Sequence, residues 1–383
     1  MKNRPEGDAA VPSSIFCENR DIACVIDSRS ESMTREEVTD MAHGGDSGKR
    51  KKHAALIGAG VLLVVLLVLA GGLAFAVNYV MGSIGEIEEV ELLDPESEEF
   101  ETDEDAGEDS IDPDEIEWAE DLEETEENEG ITNILLIGQD TRIAGTRERS
   151  DSMILISINS DTDSVNMISF MRDLYVQIPG YSDNRINASY QFGGAELLDE
   201  VIEKNFGVTI DYNVEIDFDG FQDVIDLLGG VDITLTSTEA SYFQNAGYSV
   251  SEGTNHVYGE FALLYARTRY VSTATEANDF GRTQRQRAVI TSLFNAYKDV
   301  GITTQIALVD DILSLISTDM SMTQILSLLY EAQAMDLDEL GSYRIPIDGS
   351  YTNQTIRGMQ VLVPDLTVNR EAVQEMIAGT YEE

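Results

Sequence analysis

An uncharged run of 28 residues, from Ala54 to Met81, restricts the fold of this chain more than any other feature. The run reads AALIGAGVLLVVLLVLAGGLAFAVNYVM. As a helix it would be about 42 Å long, enough to cross a hydrocarbon core of about 30 Å with some tilt. A cleaved signal peptide is the alternative, but a long polar segment precedes the run, and the run exceeds the usual signal core. We therefore predict an uncleaved transmembrane helix at 54–81.

Charges beside this run predict its orientation. Lys49-Arg50-Lys51-Lys52 lie directly before it, and no Lys or Arg follows until Arg142. The positive-inside rule therefore places residues 1–53 in the cytoplasm and the chain after about residue 82 outside the cell. Residues 1–53 are polar and lack sustained periodicity, so we predict a mostly disordered cytoplasmic tail. The only cysteines, Cys17 and Cys24, lie in this tail, which excludes disulfides and thiolate metal sites from the later domain.

Residues 82–130 contain 25 Asp and Glu side chains and no Lys or Arg. Like-charge repulsion and low hydrophobicity are typical of a segment without a packed core, so we predict a disordered acidic linker outside the cell. Cation buffering and docking to a basic partner are alternative roles for the same charges. The net charge of the chain is −48, and such acidity argues against binding nucleic acid through a broad basic surface.

From Ile131 onwards, short apolar runs alternate with helical patterns. The runs ITNILLIG (131–138), SMILISIN (152–159) and VNMISFM (165–171) predict buried strands. Residues 213–235 predict a strand, a helix and another strand, and two more strands are expected at 343–347 and 359–365. Helices are expected at 194–207, 257–269, 280–298, 304–316, 322–334 and 367–378. Strands interleaved with helices predict a layered α/β/α domain with a central mixed sheet over residues 131–383.

The basic residues of this domain are unusual in kind. Of the 15 basic residues after Gly130, 13 are arginine, and only Lys204 and Lys298 are lysine. Guanidinium groups bind phosphate oxygens in bidentate pairs and stay charged when water is excluded, so the bias favours an anion site. For any single arginine, a structural ion pair with a neighbouring carboxylate is the alternative. The clustered arginines are Arg142, Arg147 and Arg149; Arg172; Arg185; Arg267 and Arg269; and Arg282, Arg285 and Arg287.

Two carboxylates frame the first group of arginines. Asp140 follows the first predicted strand, at the end of a sheet where ligand sites of α/β proteins collect, and Asp151 begins the next strand. Carboxylate oxygens beside arginines suit a Mg²⁺ ion that bridges phosphate oxygens. Aspartates also begin and end strands for structural reasons, so both interpretations remain open on this pattern alone.

Seven sequence blocks follow one another in the order NILLIGQDTR (133–142), RSDSMILISI (149–158), ISFMRDLYVQIPG (168–180), RINASYQFGG (185–194), DFDGFQDVIDLLGGVDI (217–233), GEFALLYARTR (259–269) and DFGRTQRQRAVI (279–290). Together they resemble the successive signature blocks of the LytR–CpsA–Psr family. The predicted single-pass anchor with a cytoplasmic N-terminus is also the arrangement of that family. Three positions depart from its pattern: Met171 stands for the usual proline, Arg185 for a lysine and Ser152 for a threonine.

The resemblance implies an enzyme of the bacterial cell membrane whose catalytic domain lies outside the cell. Such phosphotransferases move a glycopolymer (teichoic acid, capsular or a similar polysaccharide) from undecaprenyl pyrophosphate to the 6-hydroxyl of N-acetylmuramic acid in peptidoglycan. A polyprenyl-pyrophosphate pyrophosphatase and a membrane-anchored regulatory protein of envelope maintenance are the alternatives. The implied partners are the lipid-linked glycopolymer, peptidoglycan and the plasma membrane, with no nucleic acid.

The resemblance also implies roles for individual residues. Asp140 and Asp151 would hold Mg²⁺ on the pyrophosphate, and Asp279 would hold an arginine in place. The polyprenyl tail would need an apolar groove, for which helices at 196–206, 218–228 and 280–297 are candidates. The residues implied in catalysis are Asp140, Asp151, Arg149, Arg172, Arg267 and Arg269. Those implied in pyrophosphate binding are Arg149, Arg185, Asn187, Arg267, Arg269, Asp279, Arg282 and Gln286.

Overall fold

The computed structural model describes residues 85, 87, 92–97, 100, 102–103, 110–118, 130–139, 149–273, 276, 278–299, 308–321, 323–325, 327–328 and 340–382. The predicted cytoplasmic tail 1–53 and the predicted membrane helix 54–81 lie outside these residues. Across the part of the chain that is described, no helix combines the length and the apolar character needed to span a membrane.

The secondary structure of the described residues alternates strands and helices. The strands are β1 (Ile131–Gln139), β2 (Ser150–Asn159), β3 (Ser164–Phe170), β4 (Tyr175–Val176), β5 (Asn184–Arg185), β6 (Tyr212–Asp217), β7 (Val231–Leu235), β8 (Gly253–Val257), β9 (Ser317–Thr318), β10 (Gly341–Ile345), β11 (Tyr351–Ile356) and β12 (Met359–Pro364). The helices are α1 (Ile186–Phe206), α2 (Phe218–Leu227), α3 (Ser237–Asn245), α4 (Gly259–Arg267), α5 (Asn278–Asp299), α6 (Val309–Leu313) and α7 (Leu366–Ala378).

A mixed six-stranded sheet with the order β10-β3-β2-β1-β6-β9 forms the centre of the domain. Strand β1 is antiparallel to β2 and parallel to β6, and β10 is parallel to β3. The neighbouring residues Ile134 and Leu135 of β1 point to opposite faces, and both are 0% exposed. Both faces of the sheet are therefore covered, as the continuous apolar runs predicted.

The two faces carry different helices. One core packs the sheet against α2, α3, α4, α5 and α6, and the other packs it against α1 and α7. This arrangement confirms the prediction of a mixed α/β fold with a central mixed sheet. The predicted site residues Asp151, Arg267, Arg269, Arg282 and Gln286 lie on the first side, where α2, α4 and α5 meet the end of β1 and the start of β2.

Several elements differ from their predicted limits. Helix α1 begins at Ile186, before the predicted start at 194, because two helical segments join across a kink at Gly193 and Gly194. Gly194 has φ +70° and ψ −156°, a backbone conformation that only glycine adopts readily. Val257, the first residue of the predicted helix 257–269, instead ends strand β8, which pairs with β7, and neither β8 nor the hairpin strand at 351–356 was predicted.

The described residues within 82–130 lie against the domain, which departs from the predicted extended linker. The carbonyl of Gly85 accepts a hydrogen bond from the backbone of Thr318 at 2.9 Å. The indole N–H of Trp118 donates to the carboxylate of Asp183 at 2.7 Å. Apolar residues interspersed among the carboxylates supply the contact area that net charge alone did not predict. Those that pack against the β11–β12 hairpin and Tyr175 are Phe100, Ile111, Ile116 and Trp118.

Candidate active site

A cavity of about 550 Å³ opens where β1 ends and β2 begins, bounded by α2, α4 and the first turns of α5. Gly138 pairs with Ser152 in the antiparallel β1–β2 ladder, which brings the end of one strand beside the start of the other. Ligand sites of α/β sheets commonly lie at such strand ends. Predicted site residues that line this cavity are Asp151, Arg267, Arg269, Arg282 and Gln286.

Asp151 is surrounded by three arginines. Nη1 of Arg172 donates to Oδ1 of Asp151 at 2.9 Å, and guanidinium nitrogens of Arg269 and Arg282 each lie 3.8 Å from the same oxygen. Burial alone would raise the pKa of Asp151, but the charges of Arg282, Arg172 and Arg269 outweigh burial and hold that pKa below its ordinary value. Asp151 is therefore ionised at neutral pH.

Asp279, in the first turn of α5, holds the same arginines from the other side. Its Oδ2 accepts a hydrogen bond from Nη2 of Arg282 at 2.8 Å and lies 4.0 Å from Nε of Arg172. Its Oδ1 lies 3.4 Å from Nε of Arg269. Arg282 is 2% exposed, and its burial lowers the pKa of its guanidinium to about 10, which still leaves it charged at neutral pH. This geometry agrees with the arginine-holding role that the resemblance implies for Asp279.

Asp173 extends the cluster and was not singled out in the sequence. Its Oδ1 lies 3.6 Å from Nε of Arg172 and 3.5 Å from Nε of Arg185. Burial raises the pKa of Asp173 despite these two arginines. For Arg172, burial would lower the pKa, but Asp173, Asp279 and Asp151 together raise it. Its place directly after Arg172 was the only sequence signal for Asp173.

Arg185 lies behind the cavity and does not line it. Its guanidinium donates to the carboxylate of Asp103, from the acidic segment, and to the backbone carbonyl of Gln360 at 2.6 Å. Asn187, two residues further on, is 4% exposed, and within the described part of the chain its Oδ1 has no hydrogen-bond partner. Both residues therefore lie at the N-terminal end of α1, outside the lining of the cavity.

Arg267 and Gln286 line the cavity, whereas Arg149 is not among its lining residues. Nε of Arg149 donates to Oε1 of Gln191 at 3.1 Å, and the guanidinium of Arg267 stacks 4.2 Å above the ring of Phe218. Gln286 accepts a hydrogen bond from Ser152 at 3.3 Å. Three further candidates, Asp140, Arg142 and Arg147, lie outside the described residues.

Two of the clustered arginines have structural roles instead. Arg285 is 0% exposed, and its Nε donates to the buried carboxylate of Glu239 at 3.0 Å. Arg287 donates to the hydroxyls of Ser342 and Ser169 at 2.8 and 2.9 Å. The ion-pair alternative therefore holds for Arg285, and Arg287 joins α5 to strands β10 and β3.

An apolar cavity of about 100 Å³ adjoins the first cavity. Phe218, Leu263 and Arg267 contribute to the walls of both. Gly138, Ser152, Asp217 and Gln286 also line it, and the remaining apolar wall comes from the sheet and from α2, α4 and α5, through Leu136, Ile137, Ile154, Val214, Ile216, Phe221, Val224, Ala266, Ile290 and Leu293. Of the three candidate helices for an apolar groove, 218–228 and 280–297 thus border this cavity. The helix at 196–206 packs on the opposite face of the sheet and cannot border it.

The order of the motifs and the geometry of this cluster agree with a comparison against known families. The model of the LytR_cpsA_psr family matches residues 96–376. The chain belongs to the LytR–CpsA–Psr family. The match begins inside the segment that was predicted as a linker, where Asp103 contacts Arg185 and Trp118 contacts Asp183. At these residues the acidic segment forms part of the LytR–CpsA–Psr domain.

Individual proteins extend this LytR–CpsA–Psr assignment. The chain is 32% identical over 345 residues to the polyisoprenyl-teichoic acid–peptidoglycan teichoic acid transferase TagU of Oceanobacillus iheyensis, covering 88% of this chain and 96% of that protein. It is 36% identical over 168 residues to the regulatory protein MsrR of Staphylococcus aureus, covering 43% of this chain and 49% of that one. The crystal structure of TagV from B. subtilis superposes with a TM-score of 0.53 and 27% identity, covering 67% of this chain and all of that one.

Proposed function

We propose that this chain is a phosphotransferase that moves a glycopolymer from a polyprenyl-pyrophosphate carrier to peptidoglycan. Its relative TagU is named a polyisoprenyl-teichoic acid–peptidoglycan teichoic acid transferase. The observation that carries the proposal is the junction of two unlike cavities. The first is lined by Arg267, Arg269 and Arg282, and the second is lined almost entirely by apolar side chains. A ligand with an anionic head and an apolar tail is complementary to this pair.

The chemistry follows from the charges in the first cavity. The acceptor hydroxyl, the 6-hydroxyl of N-acetylmuramic acid, forms a bond to the phosphorus that carries the glycopolymer. The bond from that phosphorus to the bridging oxygen breaks, polyprenyl monophosphate leaves with the electron pair, and the hydroxyl proton passes to a base. Negative charge spreads over the phosphate oxygens during transfer, so guanidiniums fixed in place by Asp151 and Asp279 stabilise the transition state without reorganising.

We propose Asp140 and Asp151 as ligands of a Mg²⁺ ion. Asp151 fits this role because its carboxylate is ionised and lines the cavity, and the guanidinium contacts described above all go to Oδ1. Among the described residues, no group of three or more acidic, histidine or cysteine side chains could hold a metal. Mg²⁺ is commonly bound by one or two carboxylates together with substrate phosphates, so such a group is not required. When bound, the ion would add positive charge beside the pyrophosphate oxygens.

The polyprenyl tail is proposed to enter the apolar cavity between the sheet and α2, α4 and α5. A volume of about 100 Å³ is much smaller than such a chain, so the helices would have to move apart as the tail enters. The walls contain mainly branched aliphatic side chains and phenylalanine, whose burial against a lipid is favourable by about 25 cal/mol for each Å² removed from water.

The proposed topology has a cytoplasmic tail at 1–53, a membrane helix at 54–81, and an extracellular acidic segment and catalytic domain at 82–130 and 131–383. The cysteines allow a direct test, because the chain has only Cys17 and Cys24 and both lie in the tail. A membrane-impermeant maleimide should leave the wild-type chain unlabelled in intact cells. It should label a Thr352→Cys variant that lacks both native cysteines, and the reverse pattern would contradict the topology.

The proposed reaction is tested with the full chain in a bilayer, a lipid-pyrophosphate-linked saccharide and a peptidoglycan glycan. Arg267→Ala removes a guanidinium from the wall of both cavities, and we expect donor affinity to fall about 10-fold to 100-fold, as for loss of charge-assisted hydrogen bonds. Arg370→Ala is the matched control, because Arg370 contacts the carbonyl of Lys204 far from the cavity. Equal activity of both variants would contradict the site. Lipid phosphate release that is independent of the acceptor, without a glycan product, would identify a pyrophosphatase instead.

A further inference from the structure

A second polar cavity, of about 380 Å³, adjoins the ion-pair cluster. Asp173 and Asp279 form part of its wall, together with Met171 and Phe280. Asp279 also pairs with Arg269 and Arg282, which line the first cavity. The ion pairs therefore lie between the two cavities, and a ligand in either cavity would lie beside the same cluster.

The chemistry of the second cavity differs from that of the first. Among the described residues its wall includes no lysine or arginine, and it carries amides and a hydroxyl, from Asn278, Asn353, Gln354, Thr355 and Gln360. A side-chain amide offers both a carbonyl acceptor and N–H donors, which is what the hydroxyl and acetamido groups of an N-acetylated amino sugar require. The carboxylates of Asp173 and Asp279, which are part of this wall, disfavour a phosphate group in the second cavity.

The supports of this wall hold it in a defined position. The β11–β12 hairpin carries Asn353 and Gln354 on one strand and Gln360 on the other. The backbone N–H of Gln360 donates to the carboxylate of Asp103 at 2.8 Å, and its carbonyl accepts from Arg185 at 2.6 Å. Arg185 and Asp103, which do not reach the first cavity, thus anchor the hairpin that forms the second.

The aromatic ring in this wall is fixed as well. The guanidinium of Arg344 lies 4.5 Å from the centre of the Phe280 ring, and the ring of Tyr351 lies 5.8 Å from it. Apolar C–H faces of sugar rings pack on aromatic rings, so Phe280 completes a surface of the kind that sugar sites use. Asn278, Asn353 and Gln354 line the same cavity, and a side-chain amide can both donate to and accept from a ligand.

We propose that the second cavity binds the acceptor, the N-acetylated amino-sugar glycan strand of peptidoglycan, while the donor pyrophosphate occupies the first. The proposal rests on the function proposed above, since it needs a donor on the other side of the cluster. It assigns the acceptor hydroxyl a position next to Asp173 and Asp279, at the boundary between the cavities. It also gives Arg185 a positioning role, through the hairpin, in place of direct contact with pyrophosphate.

The test is a double variant, Asn353→Ala with Gln354→Ala, in the full chain. Binding of a soluble peptidoglycan glycan fragment is measured by calorimetry, and the acceptor KM is measured in the transfer assay. We expect the fragment to bind about 10-fold more weakly and the acceptor KM to rise by a similar factor, as for two lost hydrogen bonds. The affinity for a lipid-pyrophosphate donor should be unchanged. Thr352→Ala is the matched control, because Thr352 is exposed on the same strand but does not line the cavity.

Each outcome decides the proposal. Unchanged glycan binding, or equal weakening of donor and glycan binding, would overturn it. If the double variant unfolds at a lower temperature, the single variants Asn353→Ala and Gln354→Ala replace it, since each removes one amide and leaves the other in place. Glycan binding that depends on these amides in a chain without transfer activity would leave the acceptor site standing and refute the phosphotransferase. Transfer activity that does not depend on Asn353 and Gln354 would leave the phosphotransferase standing and refute the acceptor site.

Discussion

The buried ion pair between Arg285 and Glu239 allows a quantitative prediction about Arg285→Ala. The two side chains are 0% and 1% exposed, and Arg285 also donates to the backbone carbonyls of Thr268, at 2.9 Å, and Val271. Removal of the guanidinium leaves a buried carboxylate and two carbonyls without that partner. Breaking a buried pair from one side typically costs about 3–5 kcal/mol. For a domain of this size each kcal/mol lowers Tm by about 2–4 °C, so we expect a decrease of roughly 10 °C.

The assay is thermal unfolding of four proteins: wild type, Arg285→Ala, Glu239→Gln and the double variant. Because each single change leaves one partner uncompensated, the double variant should be more stable than the two losses added together, by about 1–3 kcal/mol. Arg267→Ala is the contrasting variant, and it should weaken donor binding with little change in Tm. The reasoning would be refuted if Arg285→Ala kept its Tm within experimental error but lost donor binding, since Arg285 would then contact the ligand.

Three further predictions concern pH, packing and metal. Burial raises the pKa of Asp199 to about 7, above its value in the unfolded chain. Ionisation of Asp199 therefore costs stability as pH rises from about 4 to 7. We expect Tm to increase as pH falls through 7, and Asp199→Asn should remove this contribution. In Gly259→Ala, the added Cβ would lie 2.4 Å from the carbonyl oxygen of Gln222, so α2 and α4 must separate. Urea unfolding should show that the free energy of unfolding falls by about 1–3 kcal/mol. An unchanged unfolding midpoint would contradict this close approach. Removal of Mg²⁺ with a chelator should weaken binding of a lipid-pyrophosphate donor, and Asp151→Asn should abolish the effect of the metal, whereas equal binding with and without Mg²⁺ would exclude the proposed metal role.

Much of the fold could be predicted because its strands carry strong local signals. Strands β1, β2 and β3 are continuous apolar runs, and burial on both faces leaves no other place for them than the centre of a layered domain. Strand β11 has the sequence YTNQTI, whose polar centre lacks both alternation and an apolar run. Strand β11 forms because it pairs with β12, and a short stretch of sequence does not show that contact.

The site was predictable as a set of residues but not as a geometry. Arg282 and Arg285 are three residues apart on α5, and spacing alone places them on similar faces of the helix. They nevertheless have different partners, because Asp279 lies one turn before Arg282, while Glu239 approaches Arg285 from α3. Likewise, net charge predicted that the segment before the domain would stay extended, but Asp103 pairs with Arg185 more than 80 residues away.

The contact between Gly85 and Thr318 limits how far the domain can stand from the bilayer. With residues 54–81 in the membrane as proposed, only residues 82–84 separate the end of the span from this contact, and a fully extended chain covers about 3.5 Å per residue. Strand β9 is then held within about 15 Å of the lipid surface. Because the connection to the membrane is so short, the enzyme would search for its lipid carrier in the plane of the bilayer rather than in the volume outside the cell. Repulsion between its carboxylates and anionic lipid headgroups would tilt the domain rather than drive it away.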